Sequence, residues 1–138
     1  MALQFNPWLL SPAGILAGFN AMYLSGSTQT IRIYPDTVSF PATRINNSAN
    51  LPAGHIITFS NLTHGISGNY VVITAGTTTQ NTTAAGTFGW FAHIGNNADY
   101  VLISNSINTA GNGAILSVST LTPTNGQSVS ISYSFRFI

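Results

Sequence analysis

The chain has 138 residues, enough for one domain with its own hydrophobic core, and it contains no cysteine, which excludes disulfides and thiolate metal sites. Charged residues make up only 4% of the chain, whereas an average soluble domain has about 25%. Its few cationic side chains cannot neutralise a run of phosphates, so we expect no nucleic-acid partner. Hydrophobic residues make up 44% of the chain, and this content argues against a disordered polypeptide.

Uncharged polar side chains take the place of the missing charges. Ser, Thr and Asn together account for 46 of the 138 residues. Such side chains hydrogen-bond water without adding charge. A net charge near zero, in turn, favours association between molecules. The composition therefore predicts a subunit that packs within a larger assembly and keeps hydrated faces where it stays exposed.

Residues 1–10 form an apolar arm that must be covered, either by the chain's own fold or by a neighbouring subunit. The large side chains of this arm, which we take as the candidate assembly interface, are Phe5, Trp8, Leu9 and Leu10. The arm leads into a predicted helix over 11–25, where Ser11 suits the N-cap and the proline after it suits the first helical position. No Lys or Arg precedes this apolar stretch, and Pro and Gly interrupt it. We therefore expect neither a signal peptide nor a membrane anchor.

Strand signals dominate the rest of the chain, because β-branched and aromatic runs alternate with Gly, Pro and Asn turns. The predicted strands are 30–34, 55–60, 70–74, 88–94, 100–104, 114–120 and 128–137. We expect a turn around 63–68, loops over 43–54 and 75–86, and a hairpin-like turn at 111–113. This spacing predicts an all-β domain over 11–138, an antiparallel β-sandwich or jelly-roll-like barrel with one short N-terminal helix.

The last predicted strand has the clearest pattern of the chain. Its apolar positions, every second residue, are Val129, Ile131, Tyr133, Phe135 and Phe137. Four serines and one arginine occupy the positions between them. Side chains of a strand point alternately to its two faces, so the pattern predicts one buried face and one face wetted by hydroxyl groups.

Residues suited to catalysis are few. The only carboxylate side chains are Asp36 and Asp99, one in a predicted turn and one before a predicted strand, where Asp usually serves the turn. His55, His64 and His93 do not fall in a metal-binding or catalytic motif, and we interpret His93 as a packed or edge residue of its strand. The chain also lacks a glycine-rich phosphate loop. We therefore predict no enzymatic activity, no metal site and no cofactor.

Aromatic residues of one strand are the strongest candidates for a contact with another molecule. Trp90 and Phe91 are neighbours in the strand and must point to opposite faces. At least one face therefore meets something other than water: a second sheet, a partner protein or a ligand such as a sugar. The alternative is a sheet buried on both sides. We include Tyr100, at the start of the next strand, as a third candidate for partner or glycan contact.

Three segments carry a resemblance to a known group of proteins. They are 31–34 (IRIY), 85–91 (AGTFGWF) and 125–132 (NGQSVSIS). In this order, and after a short N-terminal helix, they resemble segments of small virion proteins of tailed bacteriophages. The resemblance covers most of the chain from about residue 11 onward. The chain departs from the group at His93, where a polar residue or Arg is usual nearby, and in its lower charge.

The resemblance implies a structural component of a virion, assembled in the host cytoplasm, and head decoration (cement) is the role we expect. It also implies many copies, as a trimer or closed ring, and contacts with the major capsid protein or other virion proteins. A phage tail or neck component is one alternative. A carbohydrate-binding adhesin or receptor-binding module, using Trp90 or Tyr100, is another.

Overall fold

The computed structural model describes residues 14, 17, 30–60, 62–67, 70–95 and 97–136, and for 62–67, 70–78 and 134–136 it describes the backbone alone. The apolar arm and, apart from two isolated positions, the predicted helix over 11–25 lie outside these residues. The helix and the assembly interface at Phe5, Trp8, Leu9 and Leu10 therefore stay predictions, as does the single domain over 11–138. Within the described residues, no helix has both the length and the apolar character of a membrane span.

Strands make up almost all the regular structure of the described residues, and this confirms the all-β prediction. They are β1 (Thr30–Pro35), β2 (Ile57–Ser60), β3 (Leu62–Ser67), β4 (Tyr70–Asn81), β5 (Phe88–Ile94), β6 (Val101–Ser104), β7 (Ile107–Thr109), β8 (Leu116–Val118) and β9 (Ser128–Arg136). One turn of 3-10 helix, Ser48–Asn50, lies in the long connection between β1 and β2.

The strands form two sheets. Sheet A has the order β2-β1-β5-β6, and sheet B has the order β3-β4-β9-β8-β7. Strand β1 pairs antiparallel with both β2 and β5, so it lies in the interior of sheet A. Strand β9 pairs antiparallel with β4 and β8 and has the corresponding interior position in sheet B. These interior strands supply many of the buried side chains.

The main hydrophobic core contains side chains from both sheets. Its buried members are Ile31, Ile33, Ile56, Ile57, Phe59, Phe88, Phe91, Leu116, Val118, Val129, Ile131 and Tyr133. Alternate residues of β1 and β9 enter this cluster, as the two-residue period of a strand requires. Burial of this much aliphatic and aromatic surface is the dominant stabilising contribution, at about 25 cal/mol per Å² of apolar surface removed from water.

The alternation predicted for the last strand is confirmed where its side chains are described. Val129, Ile131 and Tyr133 are buried, whereas Ser128 and Ser132 are exposed. The side chains of residues 135 and 137 lie outside the described part. The strand predicted at 88–94 is also confirmed, with the bounds Phe88–Ile94.

Two stretches that we predicted as turn or loop are strand instead. Residues Leu62–Ser67, most of which belong to the turn predicted around 63–68, form β3 and pair with β4 from Leu62 opposite Ala75 to Ser67 opposite Tyr70. The first part of the predicted loop over 75–86 continues β4 as far as Asn81, with a register irregularity between Thr74 and Thr79. The prediction was wrong because these residues lack apolar alternation, whereas backbone pairing with a neighbouring strand suffices to hold β-branched threonines extended.

The connection at 111–113 is not a hairpin, because the strands on either side of it pair in parallel. Ile107 lies opposite Leu116 and Thr109 opposite Val118, so β8 begins beside the start of β7. Gly111 and Gly113 have φ angles of 87° and 71°, a conformation open to glycine, and they allow the chain to turn back within six residues. The prediction of a purely antiparallel fold was therefore wrong at this edge of sheet B.

Candidate functional site

Tyr34 and Trp90 form a stacked aromatic pair on the face of sheet A opposite the main core. They are direct cross-strand neighbours on β1 and β5. Their ring centroids are 3.9 Å apart and the ring planes differ by 4°. Only 1% of Trp90 is exposed. A cross-strand aromatic pair of this kind stabilises a sheet by more than the burial of its two side chains alone would.

The aromatic pair fastens residues 36–56, which we call the covering loop, to the outer face of sheet A. The Trp90 indole Nε1 donates a hydrogen bond of 2.8 Å to the carbonyl oxygen of Val38. The Tyr34 hydroxyl donates one of 3.0 Å to the carbonyl oxygen of Pro52. Phe40 adds an edge-to-face contact with Trp90, with ring centroids 5.7 Å apart. Both polar groups of the pair are thus satisfied by the loop that buries them.

A β-bulge aligns this pair. The register between β1 and β5 shifts after Tyr34, so that Pro35 lies opposite Phe88 and Gly89 is the extra residue. The amide of Asp36 donates a hydrogen bond of 2.7 Å to the carbonyl oxygen of Thr87. A Cβ atom on Gly89 would lie 2.8 Å from Asp36 Cα, a contact with backbone that cannot move freely. Glycine is required here because the two backbones approach so closely.

Phe91 and His93 lie on the opposite face of β5, in the main core. Their rings pack edge to face against Tyr133 of β9, with centroid distances of 5.7 Å and 5.3 Å. Both side chains are fully buried, so the interpretation of His93 as a packed histidine is confirmed. Burial lowers the pKa of His93 from 6.5 to about 4, because the interior disfavours the charged imidazolium.

The predicted contact residues are therefore separated by the fold. Trp90 and Phe91 are buried in different clusters on the two faces of β5, which matches the alternative of a strand covered on both sides. A buried ring has no face to offer a sugar, so neither residue supports glycan binding in this conformation. Tyr100 is 38% exposed. Phe40, which the sequence did not single out as a contact residue, is 43% exposed.

The two carboxylates lie in separate parts of the fold. Asp36 is exposed in the turn after β1. Asp99 accepts a hydrogen bond of 2.7 Å from the Asn47 amide, which ties the covering loop to the connection between β5 and β6. In the described part of the chain, no group of three His, Asp or Glu side chains is placed to hold a metal ion.

Two polar residues, Arg32 and His55, lie near the aromatic pair, and sequence reasoning did not place them there; the His55 ring is 5.8 Å from that of Tyr34. Arg32 lies on the same face of β1 as Tyr34, opposite Thr58 on one side and Ala92 on the other. Burial raises the pKa of Tyr34, and the charge and hydrogen bond of Arg32 partly offset that rise. Burial and the Arg32 charge both lower the pKa of His55. Strand alternation could have placed Arg32 beside Tyr34, but only the fold brings His55 to them.

Comparisons of the chain with protein-family models, with curated proteins and with solved structures find no match. The resemblance to phage virion proteins therefore rests on the three sequence segments alone. The described surface combines sparse charge, many hydroxyl groups and two exposed large rings, Phe40 and Tyr100.

Proposed function

We propose that this chain is a structural subunit of a protein assembly, and that its role is head decoration of a tailed-phage virion. The observation that carries the proposal is the near absence of charge on a folded, strand-rich chain. The whole chain has five charged side chains. Like charges on neighbouring copies repel, and mixed surface charge keeps ordinary domains apart. A chain with so few charges is suited to close and permanent contact with other protein surfaces.

The described surface agrees with such a role. Three of the charged residues are exposed and lie in loops: Asp36, Arg44 and Asp99. Exposed strand positions carry hydroxyl groups instead, as at Ser128 and Ser132. Phe40 and Tyr100 are large side chains with substantial exposed area, of the kind that is enriched where proteins bind one another. These features support contact over a broad, weakly charged area.

We further infer that the two sheets stack as a β-sandwich, with the jelly-roll topology as a more specific form. The support is that residues of both sheets, such as Phe91 of β5 and Tyr133 of β9, contact each other in one core. A sandwich of this kind is rigid because its interior is closely packed. Rigidity is useful to a subunit that binds a shell, since a rigid subunit loses little conformational entropy on binding.

The mechanism we propose is adhesion through buried apolar area. The arm with Phe5, Trp8, Leu9 and Leu10 docks on a neighbouring copy or on the major capsid protein, and the hydroxyl-bearing faces stay in water. Each contact contributes about 25 cal/mol per Å² before the entropy cost of association is subtracted. Because few ion pairs can form, binding should change little between low and moderate salt.

Deletion of residues 1–10 tests this mechanism. We expect the full-length chain to form a trimer or closed ring in sedimentation velocity and native mass spectrometry, and the shortened chain to remain folded but lose that assembly. The matched control is Ser132→Ala, which changes an exposed hydroxyl and should leave assembly intact. A full-length chain that stays monomeric, or a shortened chain that assembles as before, would contradict the mechanism.

The location in the virion needs a separate measurement. We expect cryo-EM of particles from the source of the gene to show many copies on the outside of the head shell. Density in the tail or neck would replace head decoration with a tail or neck role and keep the structural function. Particles in which mass spectrometry finds none of the chain would overturn the virion proposal.

A further inference from the structure

Strand β6 is an outer edge of sheet A and has a neighbouring strand on one side only. It pairs with β5 in a regular antiparallel register that ends with Ile94 opposite Val101. Just beyond this pairing, the Gly95 amide donates a hydrogen bond of 2.7 Å to the carbonyl oxygen of Tyr100. The main-chain groups of successive residues in an antiparallel strand point alternately toward the partner strand and away from it. Since Tyr100 is bonded toward β5, Val101 and Ile103 point their N–H and C=O groups away from the sheet.

The outward main-chain groups of β6 are open, whereas an amide on the next edge strand of the chain is occupied. Within the described part of the chain, no hydrogen bond reaches the outward N–H and C=O groups of Val101 or Ile103. On β7, the edge of sheet B, the Thr109 amide donates a hydrogen bond of 2.8 Å to Asn108 Oδ1. A local bond of this kind withdraws a main-chain group from sheet pairing. Of these two edges, β6 is therefore the one that is ready to accept another strand.

The side chains of β6 do nothing to block such pairing. Edge strands of soluble proteins are commonly protected by a charged side chain, a proline or a bulge. Strand β6 has the sequence VLIS, without charge or proline, and its register with β5 is free of bulges. Its apolar residues Val101, Leu102 and Ile103 are all partly exposed. An uncharged apolar edge with open main-chain groups is a surface to which another extended chain adds as a strand.

The edge is complementary to a second copy of itself. When two β6 strands pair antiparallel about a two-fold axis, one register bonds both open residues of both copies. It places Val101 of each copy opposite Ile103 of the other, in two pairs that each exchange two hydrogen bonds, and it places Leu102 opposite Leu102. The nearest charged residue along the chain, Asp99, then lies opposite Asn105. The two Asp99 carboxylates are at opposite ends of the pairing, so no charge repulsion opposes it.

We propose that β6 pairs with β6 of a second copy of this chain, so that the two copies of sheet A form one continuous sheet across a two-fold axis. Contacts of this isologous type are the commonest between identical subunits. On the outer face of the sheet, Ile103 already packs against the cluster of Tyr34, Trp90 and Ala92, and Val101 of the other copy would extend that apolar surface. The inference goes beyond the proposed function, because it concerns a contact that the chain makes with itself without the apolar arm.

Single cysteine variants of the full-length protein test the register directly, because the chain has no cysteine of its own. Leu102→Cys puts two thiols opposite each other with Cα atoms about 4.5 Å apart, a separation that a disulfide spans. We expect this variant to form an intermolecular disulfide under mild oxidation roughly tenfold faster than Val101→Cys or Ile103→Cys, as read on non-reducing gels. Those two variants are matched controls, because each thiol would lie two residues out of step with its copy, beyond the reach of a disulfide.

Mixing Val101→Cys with Ile103→Cys gives a second reading of the same register. The two positions face each other in the proposed pair, so the mixture should form a mixed disulfide that neither variant forms alone. This mixture also replaces Leu102→Cys if that variant does not fold.

Hydrogen exchange of the unaltered chain needs no substitution. The amides of Val101 and Ile103 should exchange freely at low protein concentration and become protected as the concentration rises, because pairing then occupies them. The Leu102 amide, which points toward β5, is the internal control and should be protected throughout.

Three results would overturn the proposal. They are equal rates of disulfide formation in the three single variants, free exchange of the Val101 and Ile103 amides at every concentration, and protection of these amides in protein that sedimentation shows to be monomeric. The last result would mean that other residues of the same chain cover the edge. None of these measurements involves the arm or a virion protein. Their failure removes the β6 contact and leaves the structural function standing, whereas a chain absent from virions but positive in these tests loses the virion role and keeps the contact.

Discussion

The outer faces of the two sheets differ sharply although they belong to one small fold. On sheet A, the aromatic pair Tyr34 and Trp90 is sealed under the covering loop by two side-chain hydrogen bonds. On sheet B, the outer face at β8 and β9 has serines in the corresponding alternate positions and forms an open depression of about 160 Å³. Ser117 and Ser132 lie directly opposite each other there.

This difference shows that the outward-facing residues of a strand decide whether its face is dry or wet. Large aromatic rings must be covered by other protein groups. Their polar atoms, the indole nitrogen and the phenol oxygen, donate hydrogen bonds to backbone carbonyls of the loop that covers them. Serine hydroxyls need no such cover, since each can form hydrogen bonds with water. The same backbone architecture therefore supports a closed face and a hydrated one.

The largest effect we expect is from Trp90→Ala, which removes the ring stacked on Tyr34 and one hydrogen bond to the covering loop. The free energy of unfolding should fall by about 4 kcal/mol, within the range seen when a large buried aromatic residue is truncated. Urea denaturation measures it. Ser132→Ala on the wet face is the control and should change stability by less than about 0.5 kcal/mol. Similar losses in both variants would refute the contrast between the faces.

Acid should destabilise the fold through His93 of the main core. Its pKa in the folded chain is about 4, against 6.5 for an ordinary histidine. A lowered histidine pKa means that this group's contribution is complete above pH 6.5 and is lost as the pH falls from 6.5 toward 4. The loss from this residue should total roughly 3 kcal/mol. Urea denaturation across that pH range measures it.

The variant His93→Leu isolates this effect, because leucine fills part of the same buried space and cannot take up a proton. We expect the slope of stability against pH to flatten markedly in His93→Leu. The matched control is His55→Gln, which removes a less buried histidine whose pKa is lowered in the same direction. That variant should keep most of the slope. An unchanged slope in His93→Leu would show that other groups cause the acid sensitivity.

A smaller effect should follow from Gly89→Ala at the bulge beside the aromatic pair. The added methyl group would meet Asp36 Cα at 2.8 Å, and the strain should cost about 2 kcal/mol, as overpacking at a tight site does. Thermal and urea denaturation measure it. Gly86→Ala is the comparison, because a Cβ there meets only side-chain atoms, at 3.2 Å or more. A harmless Gly89→Ala would mean that the bulge does not constrain the pair.

Much of the fold was predictable from residue patterns, and much of the candidate site was not. The strand at 88–94 and the buried face of β9 follow from local β-branched, aromatic and alternating residues. Strand β3 has no such signal, since His64 and Gly65 become strand only by pairing with β4. The sequence correctly predicts that Trp90 lies in a strand. It does not exclude a ligand contact at this ring, because a sequence does not show which loop will cover it.

Composition and local pattern alone determined that the chain is built of strands, that it is nearly uncharged and that serines alternate with apolar residues in its last strand. These properties depend on residue identity and on neighbours along the chain. The tertiary structure decided which aromatic residues are buried, that β7 and β8 run in parallel, and that His55 of the covering loop contacts Tyr34 of β1. Those outcomes depend on contacts between residues far apart in sequence, which local patterns do not encode.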